Sequence, residues 1–326
     1  MSDPWRALIV GCGKIAGGYN RGPDDAMVLT HALAYRNHPG CKLAACVDSN
    51  AEVLADFAAR WDVPRTYLSL DQALDSESFD IVSVCSPTGT HLATLRRLLQ
   101  ARPHAVFAEK PLDGDAKQAR EIGAQFAAQE IPVAVNFTRR FDEAMHALRQ
   151  SIREGRYGTL HSVVGWYGRG VVNTGSHLID LVNYLTEREP TIEHVGAAQL
   201  CGLDPDFTVT AELDLGGVPF RIIGLPGVDV GRFEVEIGFS DAIVSLEDAG
   251  MTLRLRSYGA SDVFANERAL DRGTWQRTGY GIAMLRAIDE LLAWRSGARL
   301  SSDIESAAFS IELADEIRAR SVEKSQ

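Results

Sequence analysis

Short, almost uninterrupted apolar runs alternate with amphipathic stretches through the first 136 residues. The runs fall at Ala7–Val10, Leu43–Val47, Ile81–Cys85, Ala105–Ala108 and Val133–Val135. They are too short for helices and lack the polar alternation of a half-exposed strand, so each predicts a strand covered on both faces. Between them, Ala51–Arg60, His91–Gln100 and Ala116–Gln129 carry apolar residues at helical spacing. Strand–helix alternation of this kind predicts a doubly wound parallel sheet with right-handed crossovers. After Asn136 the texture changes. Asp142–Glu154 reads as an amphipathic helix with Met145, Leu148 and Ile152 on one face. Strands follow without intervening helices at Leu160–Tyr167, Thr208–Leu215, Phe220–Leu225, Phe233–Phe239, Ala242–Leu246 and Thr252–Ser257. Leu215-Gly216-Gly217 and Pro226-Gly227 read as hairpin turns between them. Two long helices close the chain, near Gly281–Trp294 and Asp303–Arg320, and Glu323–Gln326 is expected to fray. The expected fold is therefore α/β: an N-terminal Rossmann domain over 1–136, then an α+β domain over 137–326 with an antiparallel or mixed sheet. The terminal helix is free to pack back on the first domain.

Composition narrows the partners. The 33 basic and 44 acidic residues give a net charge of −11, which disfavours a phosphate backbone or an anionic membrane as partner. No apolar run reaches the roughly 18–20 residues of a bilayer span. The N-terminus runs straight into a strand without a basic leader. Cys12, Cys41, Cys46, Cys85 and Cys201 show neither a CxxC pair nor metal-ligand spacing, so they read as structural thiols of a reducing, cytoplasmic compartment, with no metal site.

Gly11-Cys12-Gly13-Lys14-Ile15-Ala16 follows the first strand and fits G-x-G-x-x-G/A. Gly11 permits the tight turn, Gly13 lets backbone approach a pyrophosphate, and small Ala16 lets a helix pack on the strand. The backbone of Lys14 and Ile15 then opens the helix whose positive end faces the phosphates. Asp48, at the end of the second strand, is placed to accept hydrogen bonds from the adenosine ribose 2′-OH and to repel a 2′-phosphate, which favours NAD over NADP. It lies 35 residues past Gly13, against about 20 in the simple pattern. The excess maps to an insertion, Gly17–Thr30. The competing role for Asp48 is N-cap of the helix beginning near Ala51.

Further on, Ser86-Pro87-Thr88-Gly89-Thr90-His91, Glu109-Lys110-Pro111 and Gly175-Ser176-His177-Leu178-Ile179-Asp180, together with the glycine motif, resemble the glucose–fructose oxidoreductase/inositol dehydrogenase/MocA family over nearly the whole chain. Gly13–Gly18 with Leu29-Thr30-His31-Ala32 is similar to a branch acting in surface-polysaccharide sugar metabolism. The resemblance implies a Rossmann domain followed by a domain whose open sheet supports a homodimer or homotetramer. It also implies that Lys110 is catalytic beside the nicotinamide, that Glu109 and Lys110 line the cofactor, and that the bond to Pro111 is cis. Ser86, Pro87, Thr88 and His91 would flank the nicotinamide half of the cofactor, Asn136 the cofactor–substrate junction, and His177 would be the catalytic histidine. Many members carry Asp where this chain has Asn173. An amide hydrogen-bonds but cannot take a proton, and Asp180 is either a partner for His177 on the same helical face or a residue that pairs elsewhere.

Oxidising a secondary alcohol needs a hydride acceptor, supplied by NAD, and a group that takes the hydroxyl proton. His177 is the candidate base and Lys110 the stabiliser of developing alkoxide, or the two roles are reversed. Arg139 and Arg140 either grip an anionic group of the substrate or form a solvated pair. Tyr19, Arg21 and His31 either line a substrate entrance or belong to a mobile surface loop, the reading favoured. Trp166 and Tyr167 either stack on a sugar or fill the sheet face. The function expected is an NAD-dependent oxidoreductase of a sugar, nucleotide-linked. A free polyol or sugar-acid dehydrogenase and a non-catalytic sensor of NAD(H) or sugar are the alternatives.

Overall fold

A computed structural model describes residues 3–112, 116–202, 205–227, 231–294 and 299–323. In chain order the first strands are β1 (Trp5–Val10), β2 (Cys41–Val47), β3 (Thr66–Tyr67), β4 (Ile81–Val84), β5 (Ala105–Ala108) and β6 (Val133–Val135). Among them run α1 (His31–Asn37), α2 (Ala51–Trp61), α3 (Leu70–Ser76), α4 (His91–Ala101) and α5 (Ala116–Ala128). The second half holds α6 (Glu143–Arg153), β7 (Leu160–Gly168), α7 (Ser176–Thr186), β8 (Thr191–Val195), β9 (Gln199–Leu200), β10 (Phe207–Thr208), β11 (Ala211–Asp214) and β12 (Pro219–Leu225). Next come β13 (Phe233–Phe239), β14 (Ala242–Glu247), β15 (Thr252–Ala260), β16 (Arg268–Leu270), β17 (Thr274–Arg277), α8 (Ala283–Ala293) and α9 (Ile304–Glu323). Contacts divide the chain into two compact units: Met1–Phe141 with Gly281–Phe309, and Asp142–Tyr280 with Ser310–Gln326.

In the first unit six parallel strands pair in the order β3-β2-β1-β4-β5-β6. The apolar runs become its central strands: all of β4 and β5 is buried. Helix ends obey local chemistry. Asn50 caps α2 by accepting from the Glu52 and Val53 amides, and Asp62 closes it in the left-handed region at φ 55°. Ala283, Met284, Ala287, Ile288 and Leu291 of α8 are buried in one apolar cluster with Leu33, Tyr35 and Phe107.

In the second unit the sheet order is β16-β15-β14-β13-β7-β12-β11-β8, with β17 also on β15; among the described residues only its β7–β12 pair is parallel. The C-terminal sheet is thus mixed and largely antiparallel. Gly216 and Gly217, at φ 67° and 85°, turn β11 back onto β12 as a hairpin, since only glycine adopts two such angles without strain. Pro226-Gly227 is not a hairpin turn, because β12 and β13 lie on opposite sides of β7. The expected strand Thr208–Leu215 is broken into β10 and β11. The Tyr167 hydroxyl takes both the C=O (2.6 Å) and the N–H (3.0 Å) of Val209 and removes them from the ladder. Tyr167 therefore fills the core, while half-buried Trp166 points to the opposite face. Glu323 is the last residue of α9, and the rest of the expected frayed tail lies outside the described residues.

Candidate active site

Strand order reverses between β1 and β4, so the crevice beyond their carboxyl ends is where an open α/β sheet takes ligands. The glycine loop follows β1 at this point. Gly11 sits at φ 91°, and a Cβ there would collide with the backbone of Cys85 and Ser86. Gly13 has an ordinary φ of −78°, and a Cβ there would meet nothing within 4 Å. The first glycine thus serves backbone packing, and the second leaves open space before the loop. The expected helix after the motif is a single π-helical turn, Lys14–Gly18, not a full helix. Its Gly17 packs against the ring edges of Phe57 and Trp61, and the chain then leaves into the insertion. Ala16 is fully buried, Ile15 partly so, and Lys14 is exposed.

Asp48 is tied to this loop. Its Oδ2 accepts from the Cys12 amide at 2.8 Å and its Oδ1 from the Asn50 amide at 2.9 Å. The capping role belongs to Asn50, which removes the competing reading of Asp48. A carboxylate offers about four acceptor positions, so Asp48 keeps capacity for ribose hydroxyls at its half-buried position. A hydrogen bond with Cys46, then burial, push the Cys12 thiol above its ordinary range, and burial does the same for Cys41, to about 12. All five cysteines are buried and free. Such thiols pack as small hydrophobes and are poor nucleophiles.

The strand ends on the other side of β1 carry the Ser86 and Lys110 segments. Thr88–Thr90 forms a 3₁₀ turn ahead of α4, tied by Ser86 Oγ to Thr90 Oγ1 at 2.7 Å, with Pro87 and Thr88 exposed. His91 is buried and clasps two segments together: its Nδ1 lies 2.7 Å from the Pro111 carbonyl and its Nε2 2.6 Å from the Ser86 carbonyl. Carbonyls only accept, so a neutral ring makes one of these bonds and an imidazolium makes both. The Lys110–Pro111 bond is cis, and Lys110 is half-buried. Glu109 and Asn136 lie deeper than a cofactor-lining position suggests. Both are buried, and Glu109 Oε1 accepts from Asn136 Nδ2 at 2.6 Å.

His31 departs most from expectation. It is fully buried, with Nε2 2.9 Å from Glu109 Oε1 and Nδ1 2.8 Å from Ser83 Oγ, which in turn lies 2.7 Å from the Tyr35 hydroxyl. Neither an entrance nor a surface loop describes it. Tyr19 and Arg21 are exposed, on an insertion organised by buried Asn20. Asn20 donates to Met27 O (2.7 Å) and accepts from the Leu29 amide (3.1 Å) and Thr30 Oγ1 (2.8 Å). Arg140 is also buried and donates to Ser301 O at 3.1 Å, so the solvated pair fails for it; Arg139 is half-buried. Ser83 and Tyr35 belong to no motif in the sequence. The available signal was a lone hydroxyl inside the otherwise apolar Ile81-Val82-Ser83-Val84.

In the second unit, Val171–Gly175 forms a π-helical turn leading into α7, whose second residue is half-buried His177. Asn173 is exposed and donates through Nδ2 to Arg169 O at 3.1 Å. Its backbone amide donates to Asp206 Oδ2 at 2.8 Å, and Val172's to Asp206 Oδ1 at 3.2 Å. Asp206, which sequence reasoning missed, thus brings a carboxylate to the turn where the side chain at 173 is an amide. Asp180 is buried and accepts from Ser310 Oγ at 3.2 Å, which ties α7 to α9.

Residues 5–137 match the model of the Gfo/Idh/MocA family, an oxidoreductase family with an NAD-binding Rossmann fold. The chain is similar to this family over those residues, about two-fifths of its length. Its similarity to inositol 2-dehydrogenase of Rhizobium meliloti is 31% identity over 134 residues, 41% of this chain and 39% of that protein. The alignment thus spans about two-fifths of that relative. To UDP-N-acetylglucosamine 3-dehydrogenase of Acidithiobacillus ferrooxidans it is 27% identical over 229 residues, 68% of this chain and 72% of the relative. A solved structure of the latter enzyme superposes with a TM-score of 0.75 at 21% identity and covers all of both chains. At that identity the superposition speaks for the fold alone. The glycine-loop end of the first unit fits a dinucleotide: open space lies before Gly13, and Asp48 is anchored beside the loop.

Proposed function

We propose that this protein is an NAD-dependent dehydrogenase of a secondary hydroxyl on a nucleotide-linked sugar. The observation that carries the reading is the clasp by which His91 holds the Ser86 and Lys110–Pro111 segments together, at the sheet end where the glycine loop packs on Ser86. It is supported by the similarity to UDP-N-acetylglucosamine 3-dehydrogenase, which extends well beyond the residues matched by the family model. The inositol 2-dehydrogenase similarity, higher in identity but confined to 134 residues, favours a free polyol as the second reading.

Bound NAD supplies the hydride acceptor. Gly11, Gly13 and the turn from Lys14 would hold its pyrophosphate, Asp48 its adenosine ribose, and Ser86–Thr88 the nicotinamide half. Lys110 would donate a hydrogen bond to the substrate hydroxyl and stabilise developing negative charge on that oxygen. Lys110 and His177 are the two candidates for taking the hydroxyl proton. The test is absorbance at 340 nm with NAD and a panel of UDP-sugars and free polyols. A rise with a UDP-sugar, reduced ~10²-fold or more in Lys110→Ala with NADH binding retained, is the expected outcome. A rise with polyols alone selects the second reading. A flat trace with every substrate, in either direction, overturns both.

A further inference from the structure

We propose that His31 is a positioning residue for the Glu109–Lys110–Pro111 segment, and that the insertion Gly17–Thr30 serves to place it there. Six side chains from α1, β4 and the ends of β5 and β6 form one connected array in the first unit: Tyr35, Ser83, His31, Glu109, Asn136 and Thr138. Its direction follows from chemistry. Burial pushes the Tyr35 phenol well above its ordinary range, so it stays protonated and donates to Ser83 Oγ. The Ser83 hydrogen is then free for His31 Nδ1, and His31 donates through Nε2–H to Glu109. From the other side, Asn136 donates to the same Glu109 oxygen, and Thr138 Oγ1 donates to Asn136 Oδ1 at 2.9 Å. The donation from both sides converges on one carboxylate.

That carboxylate sits immediately before Lys110. The Glu109 backbone is fixed by its N–H to Val84 O at 2.9 Å, and Asn136 by its N–H to Ala108 O at 2.8 Å. His31 adds the side-chain restraint from a separate element, with its ring 4.4 Å from that of Phe107. The order Ser83–His31–Glu109 copies that of a hydrolytic triad, but Ser83 is fully buried within β4, where no acyl group reaches it. The array therefore positions instead of attacking. Asn20 shapes the insertion and holds Thr30, the N-cap residue of α1, so that α1 begins with His31.

The inference rests on Lys110 acting as proposed above, and the experiment separates the two. Full-length wild type, His31→Leu, His31→Gln, Lys110→Ala and the His31→Leu/Lys110→Ala double variant are compared. Three quantities are read: NADH affinity by fluorescence, turnover of the active UDP-sugar, and acetylation of Lys110 by acetic anhydride, followed by mass spectrometry against exposed Lys42. His31→Leu is expected to keep NADH affinity within about twofold while kcat falls on the order of tenfold or more and KM holds. His31→Gln, which retains an N–H near Nε2, restores most of the loss. In the Lys110→Ala background His31→Leu brings no further loss, as expected of residues acting through one another. Lys110 acetylation changes about threefold or more relative to Lys42 in His31→Leu. Unchanged Lys110 reactivity, or losses that add in the double variant, overturn the proposal. If His31→Leu does not fold, His31→Asn, whose amide stops short of Glu109, carries the same expectations. If no substrate turns over in wild type, the dehydrogenase reading falls, and Lys110 acetylation still decides the positioning.

Discussion

At the scale of single residues, Asp48 has two duties that one substitution can separate. It anchors the glycine loop through Cys12 N–H, and in the proposed function its charge would face any phosphate at the ribose 2′ position. Asp48→Asn keeps an acceptor oxygen for that amide and removes the charge. The expected outcome is a loop that still binds NADH while the preference for NADH over NADPH narrows about tenfold, roughly one short-range charge interaction. Fluorescence titration of both cofactors measures it, and an unaltered ratio moves cofactor selection elsewhere. The position of Asp48 at a strand end beside the glycine loop is legible because motif and strand register fix it. His31 was not legible in the same way. A histidine beside a Gly/Asp/Pro-rich insertion reads as surface, and its partners lie 52 and 78 residues away, at Ser83 and Glu109. Only the fold shows that a hydroxyl in an apolar strand and a glutamate at a strand end converge on it.

At the scale of elements, the glycine loop allows a sharper test, because its two glycines do different work. Gly11→Ala forces a side chain into the positive-φ region and against the backbone of Cys85 and Ser86, a strain of about 1–3 kcal/mol or more. It should lower the melting temperature as well as NADH affinity. Gly13→Ala meets neither obstacle and should leave the melting temperature unchanged while weakening NADH, since its methyl enters the space before the loop. Equal melting temperatures for the two variants would refute the distinction. The buried parallel strands were readable because burial on both faces leaves an unbroken apolar run. Strands β8, β16 and β17 were not: every residue of β17 is exposed and β8 has one buried residue in five, so no apolar signature marks them. Helix α1 was hidden by its brevity and by the insertion before it.

At the scale of the whole molecule, the decisive fact is that the first unit is discontinuous in sequence. The sequence texture changes near Asn136, yet α8, some 150 residues later, belongs with the parallel sheet. Composition cannot reveal this, because α8 reads simply as an amphipathic helix and nothing local says which sheet it covers. Met284, Ile288 and Leu291 are essentially fully buried. Each contributes roughly 1.5–3 kcal/mol by burial, a sum comparable with the ~5–15 kcal/mol that holds a domain folded. A fragment ending at residue 141 therefore exposes the faces of Leu33 and Tyr35 that α8 covers. It should be aggregated or molten, with no cooperative thermal transition, and should not bind NADH. Restoring residues 281–309 through a flexible Gly/Ser linker should return both the transition and NADH binding. If the short fragment melts cooperatively and binds NADH on its own, the parallel sheet is self-sufficient and α8 is an accessory to the core.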